Sequence, residues 1–513
     1  MLVKTYSSAC QGIIATTVGV EVNVSPGTKY YIVGLPDNAV RESLQRVESA
    51  IVSIGLRMPR QKIVVNMFPA DLRKEGSTYD LSIAIAILAA SGQINPTHLE
   101  EFLILGELSL DSSLQHVRGV LPTALQAKED GFKGIILPKS NAPEAAIVSG
   151  LNVYGASNLK EVIALLEGEE NIKPTTVDIQ LEFARQLQTS DMDFSDVQGQ
   201  ENIKRALEIA AAGGHNVMLI GPPGAGKTML AKRLPTILPP LTLEESLETT
   251  KIHSVAGRLP AGTPILTSRP FQAPHHTISN IALVGGGTYP QPGEISLAHH
   301  GVLFLDELPE FARNVLEVMR QPLESRSISI SRAKFSVEYP ASFMLIASMN
   351  PCPCGYYNHP EKACLCSPQM VQRYLSKVSG PLMDRIDLHV EVTPVPFKDL
   401  SRTNSRSEQS SVIRERVTKT RIIQENRFSG QPDIYSNAQM SASWMRKVCQ
   451  LDEDSRHLLK SAMERLGLSA RAYDRILKVA RTLADMEACD NIQPQHIAEA
   501  IQYRSLDRAD WAS

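Results

Sequence analysis

The sequence predicts a multidomain α/β protein. It has an N-terminal α/β domain, a central phosphate-loop domain on a parallel sheet flanked by helices, and a C-terminal helical domain. Three observations lead there. The chain has 513 residues, too many for one core, and at ~150 residues per domain this length suits about three domains. The octapeptide Gly221-Pro222-Pro223-Gly224-Ala225-Gly226-Lys227-Thr228 follows the apolar run Asn216-Val217-Met218-Leu219-Ile220 and leads into a helix-compatible segment, Met229 to Leu234. Beyond Pro394-Val395-Pro396 the pattern is helical to the end, after a polar, serine-rich opening.

Composition narrows the class. Hydrophobic residues make up 43% and charged residues 21% of the chain, as in ordinary globular proteins. No stretch approaches the ~18 apolar residues that span a bilayer. Residues 1–20 carry Ser7, Ser8, Gln11, Thr16 and Thr17 where a signal peptide needs an apolar core. The expectation is a cytoplasmic protein with no membrane partner. A net charge of −3 gives no global basic field for nucleic acid, so any such contact must come from a local patch. Seven cysteines in that compartment do not read as structural disulfides.

Residues 1–166 form the first domain, alternating strand and helix patterns. Tyr30 to Val33 and Lys62 to Asn66 read as strands, and Asn38 to Ile54 as an amphipathic helix. Leu81 to Ala90, the richest apolar run, broken only by Ser82, reads as a buried helix. A helix around Pro122 to Asp130 leads into the strand Gly134 to Pro138. Residues 167–193, rich in acidic, Thr and Gln residues, read as a linker. The phosphate-loop domain occupies 194–395 and the helical domain 396–513.

In the central domain, strand, glycine-rich turn and helix start make the octapeptide a G-x-x-x-x-G-K-[ST] phosphate loop. Gly221, Pro222, Pro223, Gly224, Ala225 and Gly226 cradle phosphates with backbone N–H groups, helped by the helix dipole. Lys227 reaches the β- and γ-phosphates, and Thr228 ligates Mg²⁺. Gly301 to Glu307 is an apolar strand that ends in two carboxylates. Asp306 suits the Mg²⁺ shell, and Glu307 suits orienting and deprotonating the attacking water. A further apolar strand, Phe343 to Ser348, ends at Met349-Asn350-Pro351, where the amide can touch the γ-phosphate or its water. These residues call for ATP, Mg²⁺ and hydrolysis.

Together the segments resemble the AAA+ ATPases, specifically the magnesium-chelatase-like clade. The resemblance is carried by Phe194 to Gln200, Ala273-Pro274-His275-His276-Thr277, Gly293 to His299 running into the Asp-Glu strand, and Ser379 to Asp387. It implies that Asn350 is sensor 1 and that Arg385 is an arginine finger offered to a neighbouring subunit. It also implies that Arg471, in Ser469-Ala470-Arg471, is the sensor 2 arginine, with Arg475 as its rival. Arginines at the γ-phosphate stabilise the charge that develops in transfer. A finger in trans implies a homo-oligomeric ring, usually a hexamer.

Three features narrow the membership. Val64 to Gly76, followed by Tyr79-Asp80-Leu81, resembles the proteolytic domain of Lon-type proteases, whose chemistry needs a Ser nucleophile and a Lys of lowered pKa. Here Thr78 takes the approximate nucleophile position, Lys74 belongs to the turn, and Gly119 to Leu125 contains no Lys. The domain therefore reads as a non-proteolytic relative. Second, Arg326 to Tyr339 alternates around a short turn and reads as a β-hairpin. In related helicases such a hairpin enters the pore, where Arg332 and Lys334 would grip DNA phosphates without regard to sequence. Third, Cys352, Cys354, Cys364 and Cys366 suit structural Zn²⁺, with reduced thiols or a redox role as the alternatives.

This layout resembles the competence-associated ComM (YifB-like) family along nearly the whole chain, several of whose members carry such cysteines. The resemblance implies a ring-forming, ATP-dependent DNA motor that promotes branch migration. A chelatase-type motor subunit that drives Mg²⁺ into a porphyrin, and an ATP-dependent protease or chaperone, remain as alternatives. The pairs His275-His276 and His299-His300 read as loop or site-ordering residues, since neighbours on a strand point to opposite faces. Between 401 and 450 basic residues outnumber acidic ones, and a solvated helix face is the expectation there.

Overall fold

The N-terminal strands β1 (Leu2–Gln11) and β2 (Ile14–Ser25) form a long hairpin, paired from Leu2–Asn23 to Gln11–Ile14. With β3 (Tyr30–Val33), β4 (Lys62–Phe68), β5 (Phe102–Ile104), β6 (Gly134–Pro138) and β7 (Asn152–Ala156) they build a seven-stranded sheet of order β3-β4-β2-β1-β5-β6-β7. Only β2 runs antiparallel to its neighbours. The computed structural model describes every residue except 97, 169–171, 187–191, 288–289, 333–334, 358, 360, 395–406, 432–433 and 505–513.

The helix expected at 38–54 is α1 (Asn38–Ser53), begun where the Asp37 carboxylate accepts the Val40 N–H. The apolar run is α2 (Asp80–Ala90), buried at every position. It has no polar stripe because it faces the sheet on one side and other elements on the rest. Its first residue, Asp80, is held by Arg46 through bonds of 2.6 and 2.9 Å, and burial still pushes the carboxyl up to about 6. Part of the expected linker is laid against this domain. Thr175 N–H bonds the Val153 carbonyl, Val177 and Ile179 pack on the N-terminal core, and Ile179–Gln186 is helical.

The central strands are β8 (Val217–Ile220), β9 (Phe271–Gln272), β10 (Val302–Leu305), the hairpin β11 (Ser327–Arg332) and β12 (Phe335–Pro340), β13 (Met344–Met349) and β14 (Leu388–Glu391). Apart from the hairpin they form a parallel sheet of order β9-β10-β13-β8-β14. Every residue of β8, β10 and β13 is buried, as in a sheet covered on both faces. The covering helices include α3 (Glu201–Gly213), α4 (Lys227–Arg233) and α5 (Leu243–Val255). Registers pair Ile220 with Met349 and Leu305 with Ala347, so the segments leaving β8, β10 and β13 emerge together at one sheet edge. Ligands of open α/β sheets bind at that carboxyl edge.

The C-terminal segment is helical as expected, with α6 (Ser410–Arg427), α7 (Glu453–Leu466), α8 (Ala470–Met486) and α9 (Pro494–Gln502). One hydrophobic cluster runs from Leu207, Val217 and Leu230 to Val417, Ile476, Leu483 and Ile497, so these helices complete the core of the parallel sheet. The basic stretch on α6 differs from the solvated face expected of it. Arg416 pairs with Glu208 of α3 at 2.6 Å, Arg421 bonds the Ala211 carbonyl at the end of α3, and Arg427 holds the buried Asp485. Those charges serve helix packing, because carbonyls and carboxylates at the domain junction need donors.

Candidate nucleotide site

The phosphate loop leaves β8 and turns through Gly224 and Gly226, both at positive φ, into α4. Gln200 braces it, donating to the Ala225 and Thr393 carbonyls at 3.1 Å. Lys227 folds back over the loop. Its ammonium donates to the Gly221 carbonyl at 2.7 Å, the Pro222 carbonyl at 3.0 Å and Asn350 Oδ1 at 3.1 Å. Burial lowers its pKa, opposed by the charges of Asp306 and Glu307, and the negative charge of an arriving phosphate favours the ammonium form further.

Asp306 is the hinge of the site. Its Oδ2 accepts the Thr228 hydroxyl at 2.7 Å, and its Oδ1 accepts the Ser348 hydroxyl and the Glu307 N–H. A serine and a threonine hydroxyl on one carboxylate make an all-oxygen donor set, which suits a hard cation such as Mg²⁺. Glu307 takes φ 54° and lines the same cavity, of about 410 Å³, with Lys227, Thr228, Asp306 and Asn350. His276 Nδ1 lies 3.6 Å from Glu307 Oε2, so this histidine sits against that carboxylate. Ser348 was legible only as the last residue of a strand; its contact with Asp306 depends on β10 and β13 being neighbours.

The three arginines named from the sequence differ in their surroundings. Arg385 is buried, and its guanidinium bonds Glu324 and the Pro381 carbonyl of its own chain. Presenting it to a neighbouring subunit requires release from Glu324, a largely exposed carboxylate. Arg471 is 59% exposed and bonds Asp384, one residue before Arg385, at 3.2 Å. Arg475, its rival, instead pairs at 3.0 Å with Asp387, whose side chain is 1% exposed. His215 and the Asn216 N–H complete that cage. Burial opposes its ionisation, but Arg475 and His215 hold Asp387 well below the carboxylate range.

The four cysteines gather in the loop that follows Asn350. Sγ separations are 3.3 Å for Cys352–Cys354, 3.5 Å for Cys354–Cys364 and 3.7 Å for Cys352–Cys364, with Cys366 in the same group. Tetrahedral Zn²⁺ with ~2.3 Å arms sets its ligands about 3.8 Å apart, so the donors fit that metal. The loop touches the phosphate loop directly: at Gly355, φ 83°, an added Cβ would stand 2.6 Å from Pro223 Cδ. In the hairpin, Arg332 ends β11 opposite Phe335. Lys334 and the side chain of Arg332 lie outside the described residues. The hairpin's base is buried through Ile328, Ile330 and Tyr339, with Ile13 of the β1–β2 turn packed against that cluster.

Two further clusters involve residues singled out in the sequence. Ring centroids of His299 and His300 are 3.9 Å apart, because His300 takes φ 55° and the pair is not on a strand. Both Nε2 atoms reach Glu248 Oε2, at 3.2 and 2.7 Å. His299 Nδ1, however, accepts the Ser342 N–H at 3.0 Å, which leaves the proton on Nε2, where a metal would have to bind. The trio is a structural network. Near Thr78, Lys74 is buried and burial lowers its pKa, but its amine bonds the Pro69 carbonyl. Thr78 lines a cavity of about 610 Å³ with Cys10 and Thr123, and Thr123 donates to the Gly119 carbonyl.

The family described as magnesium chelatase, subunit ChlI, matches residues 193–400, with companion descriptions matching 20–141 and, for the ChlI C-terminal part, 407–504. The competence protein ComM of Haemophilus influenzae is 45% identical over 505 residues, covering 98% of this chain and 97% of that protein. YifB of Escherichia coli is 45% identical over 509 residues, with 98% and 97% covered. Lon protease 2 of Bacillus subtilis is 33% identical over 159 residues, 28% of this chain and 27% of that protein.

Proposed function

The chain belongs to the ComM/YifB family of magnesium-chelatase-like AAA+ proteins, and from that premise we propose an ATP-hydrolysing motor that assembles as a hexameric ring and moves DNA, as a branch-migration helicase. One observation carries the hydrolytic part. Lys227, Thr228, Asp306, Glu307 and Asn350 line one cavity at the carboxyl edge of three adjacent strands. The DNA part is supported by the basic hairpin and by full-length likeness to a protein named for competence. The proposed division into domains is 1–166, 167–193, 194–395 and 396–513, in a cytoplasmic setting.

On this reading Lys227 exchanges the Gly221 and Pro222 carbonyls for phosphate oxygens. Mg²⁺, held by Thr228 and Asp306, would neutralise phosphate charge. Glu307 orients the attacking water and takes its proton, with His276 limiting where the carboxylate points. Asn350 reports the γ-phosphate, Arg385 crosses to the neighbouring subunit, and Arg471 reaches the nucleotide from the helical domain. Zn²⁺ on the four thiolates would pin the loop that carries Gly355 against Pro223.

The test is ATP hydrolysis with and without single-stranded and forked DNA, comparing wild type with Lys227→Ala and Lys334→Ala. The reading expects DNA-stimulated turnover, abolished by Lys227→Ala and uncoupled from DNA by Lys334→Ala. No binding and no stimulation by DNA would overturn the helicase reading and leave the porphyrin-chelatase motor. Casein degradation that needs ATP and is lost in Thr78→Ala would instead favour the protease.

A further inference from the structure

A second cavity lies where the hairpin base, the start of β10 and the helical domain meet. Arg269, Arg326 and Arg421 line it, together with His300, Ser342 and Gln439. Glu245 is the one carboxylate in the lining, and Arg269 already holds it at 3.0 Å. Arg326 donates to the Ser342 hydroxyl at 3.2 Å, and Arg421 to the main-chain carbonyls of Ala211 and Tyr435. Among the described residues neither has a carboxylate within ion-pair distance. Burial pushes both guanidinium groups down to about 10; for Arg421 the charges of Arg269 and Arg326 add to the effect while Glu245 and Glu425 oppose it, and for Arg326 Asp387 opposes it. Glu245 is committed to Arg269, so the guanidinium groups of Arg326 and Arg421 remain without a paired carboxylate in a partly desolvated cavity, an arrangement that an added anion would stabilise.

We propose that this cavity is a binding site for a small tetrahedral oxyanion, inorganic phosphate or sulfate, held by Arg326 and Arg421. Size sets the class. The space is about 70 Å³, room for about five waters, which matches one phosphate or sulfate ion. Ser342 and Gln439 supply neutral donors around it, 3.4 Å from each other. Arg326 begins the hairpin, and Arg421 and Gln439 belong to the helical segment. A bound oxyanion thus links the hairpin base to the helical domain, at a place distinct from the phosphate loop.

The experiment is thermal unfolding of the full chain in Lys227→Ala background, which weakens anion binding at the phosphate loop. Phosphate, sulfate and chloride are compared at matched ionic strength. At a hundredfold excess over Kd, worth about 2.7 kcal/mol, phosphate or sulfate should raise the midpoint by roughly 5–11 °C relative to chloride. Adding Arg326→Gln should remove that rise. A second variant pushes the opposite way. Gln439 Oε1 accepts the Ser436 N–H at 3.1 Å, a role a carboxylate keeps, so Gln439→Glu places a tethered anion in the cavity. It should raise the midpoint in chloride and abolish the response to phosphate. An equal rise in all three salts, or a rise that survives Arg326→Gln, overturns the proposal.

Discussion

Arg471 and Arg475 lie one helical turn apart on α8, yet their substitution should have opposite consequences. Arg475→Ala removes the cation from Asp387, a carboxylate with a 1% exposed side chain. What remains is His215 Nδ1 at 3.5 Å and the Asn216 N–H at 2.9 Å. Breaking a buried pair by deleting one partner costs about 3–5 kcal/mol. Arg475 is itself 21% exposed, so the low end, about 3 kcal/mol, is the better figure. At roughly 2–4 °C per kcal/mol, the unfolding midpoint should fall by about 6–12 °C. Arg471→Ala deletes an exposed pair with Asp384, worth roughly 0–1 kcal/mol. Its midpoint should hardly move, while steady-state ATP turnover drops by about 10²-fold or more if the guanidinium stabilises transferring charge. Thermal unfolding and turnover measured on both variants decide the matter. A midpoint unchanged in Arg475→Ala, or lowered as far in Arg471→Ala, would refute the assignment of roles.

Three further outcomes follow from the geometry. Ser348→Ala removes a buried donor from Asp306, so the Mg²⁺ concentration for half-maximal turnover should rise about tenfold with the fold retained by circular dichroism; an unchanged Mg²⁺ titration counts against that contact. Gly355→Ala places a Cβ 2.6 Å from Pro223 at φ 83°, a strain of about 1–2 kcal/mol. ATP binding by calorimetry should weaken by about tenfold, and unaltered affinity would show that the cysteine loop does not support the phosphate loop. Acid should destabilise the protein through His299. Burial pushes its pKa down to about 4, against about 6.5 unfolded, so the unfolded chain binds the extra proton as pH falls below 6.5. Stability is therefore lost between pH 6.5 and 4, by about 2 kcal/mol at pH 5. His299→Gln should flatten urea-unfolding stability over pH 5–7, and an unchanged pH slope would rule His299 out as its source.

Much of the fold was legible because its signals are local. The apolar stretch that became α2, the β-branched run of β4 and the strand–loop–helix around 217–233 each declare themselves within about a dozen residues. Boundaries followed where a cap fixes them, as Asp37 does for α1. The inward turn of Arg416, Arg421 and Arg427 was not legible. Charge runs on a helix look the same whether the opposing surface is water or the end of another helix.

By itself the sequence determined the chemistry on offer: a phosphate-loop lysine and threonine, two carboxylates at a strand end, an amide at the next, and four clustered cysteines. Residue type and spacing carry that information, because phosphate cradles and metal shells demand particular donors at short range. Tertiary structure alone decided which groups meet. Strand order brings Ser348 to Asp306, helix docking commits Arg475 to Asp387 and leaves Arg471 exposed, and the cysteine loop seats Gly355 on Pro223. It also gathered three arginines, distant in sequence, around one small cavity. Such contacts join residues tens to hundreds of positions apart, and only sheet order and helix packing set those distances.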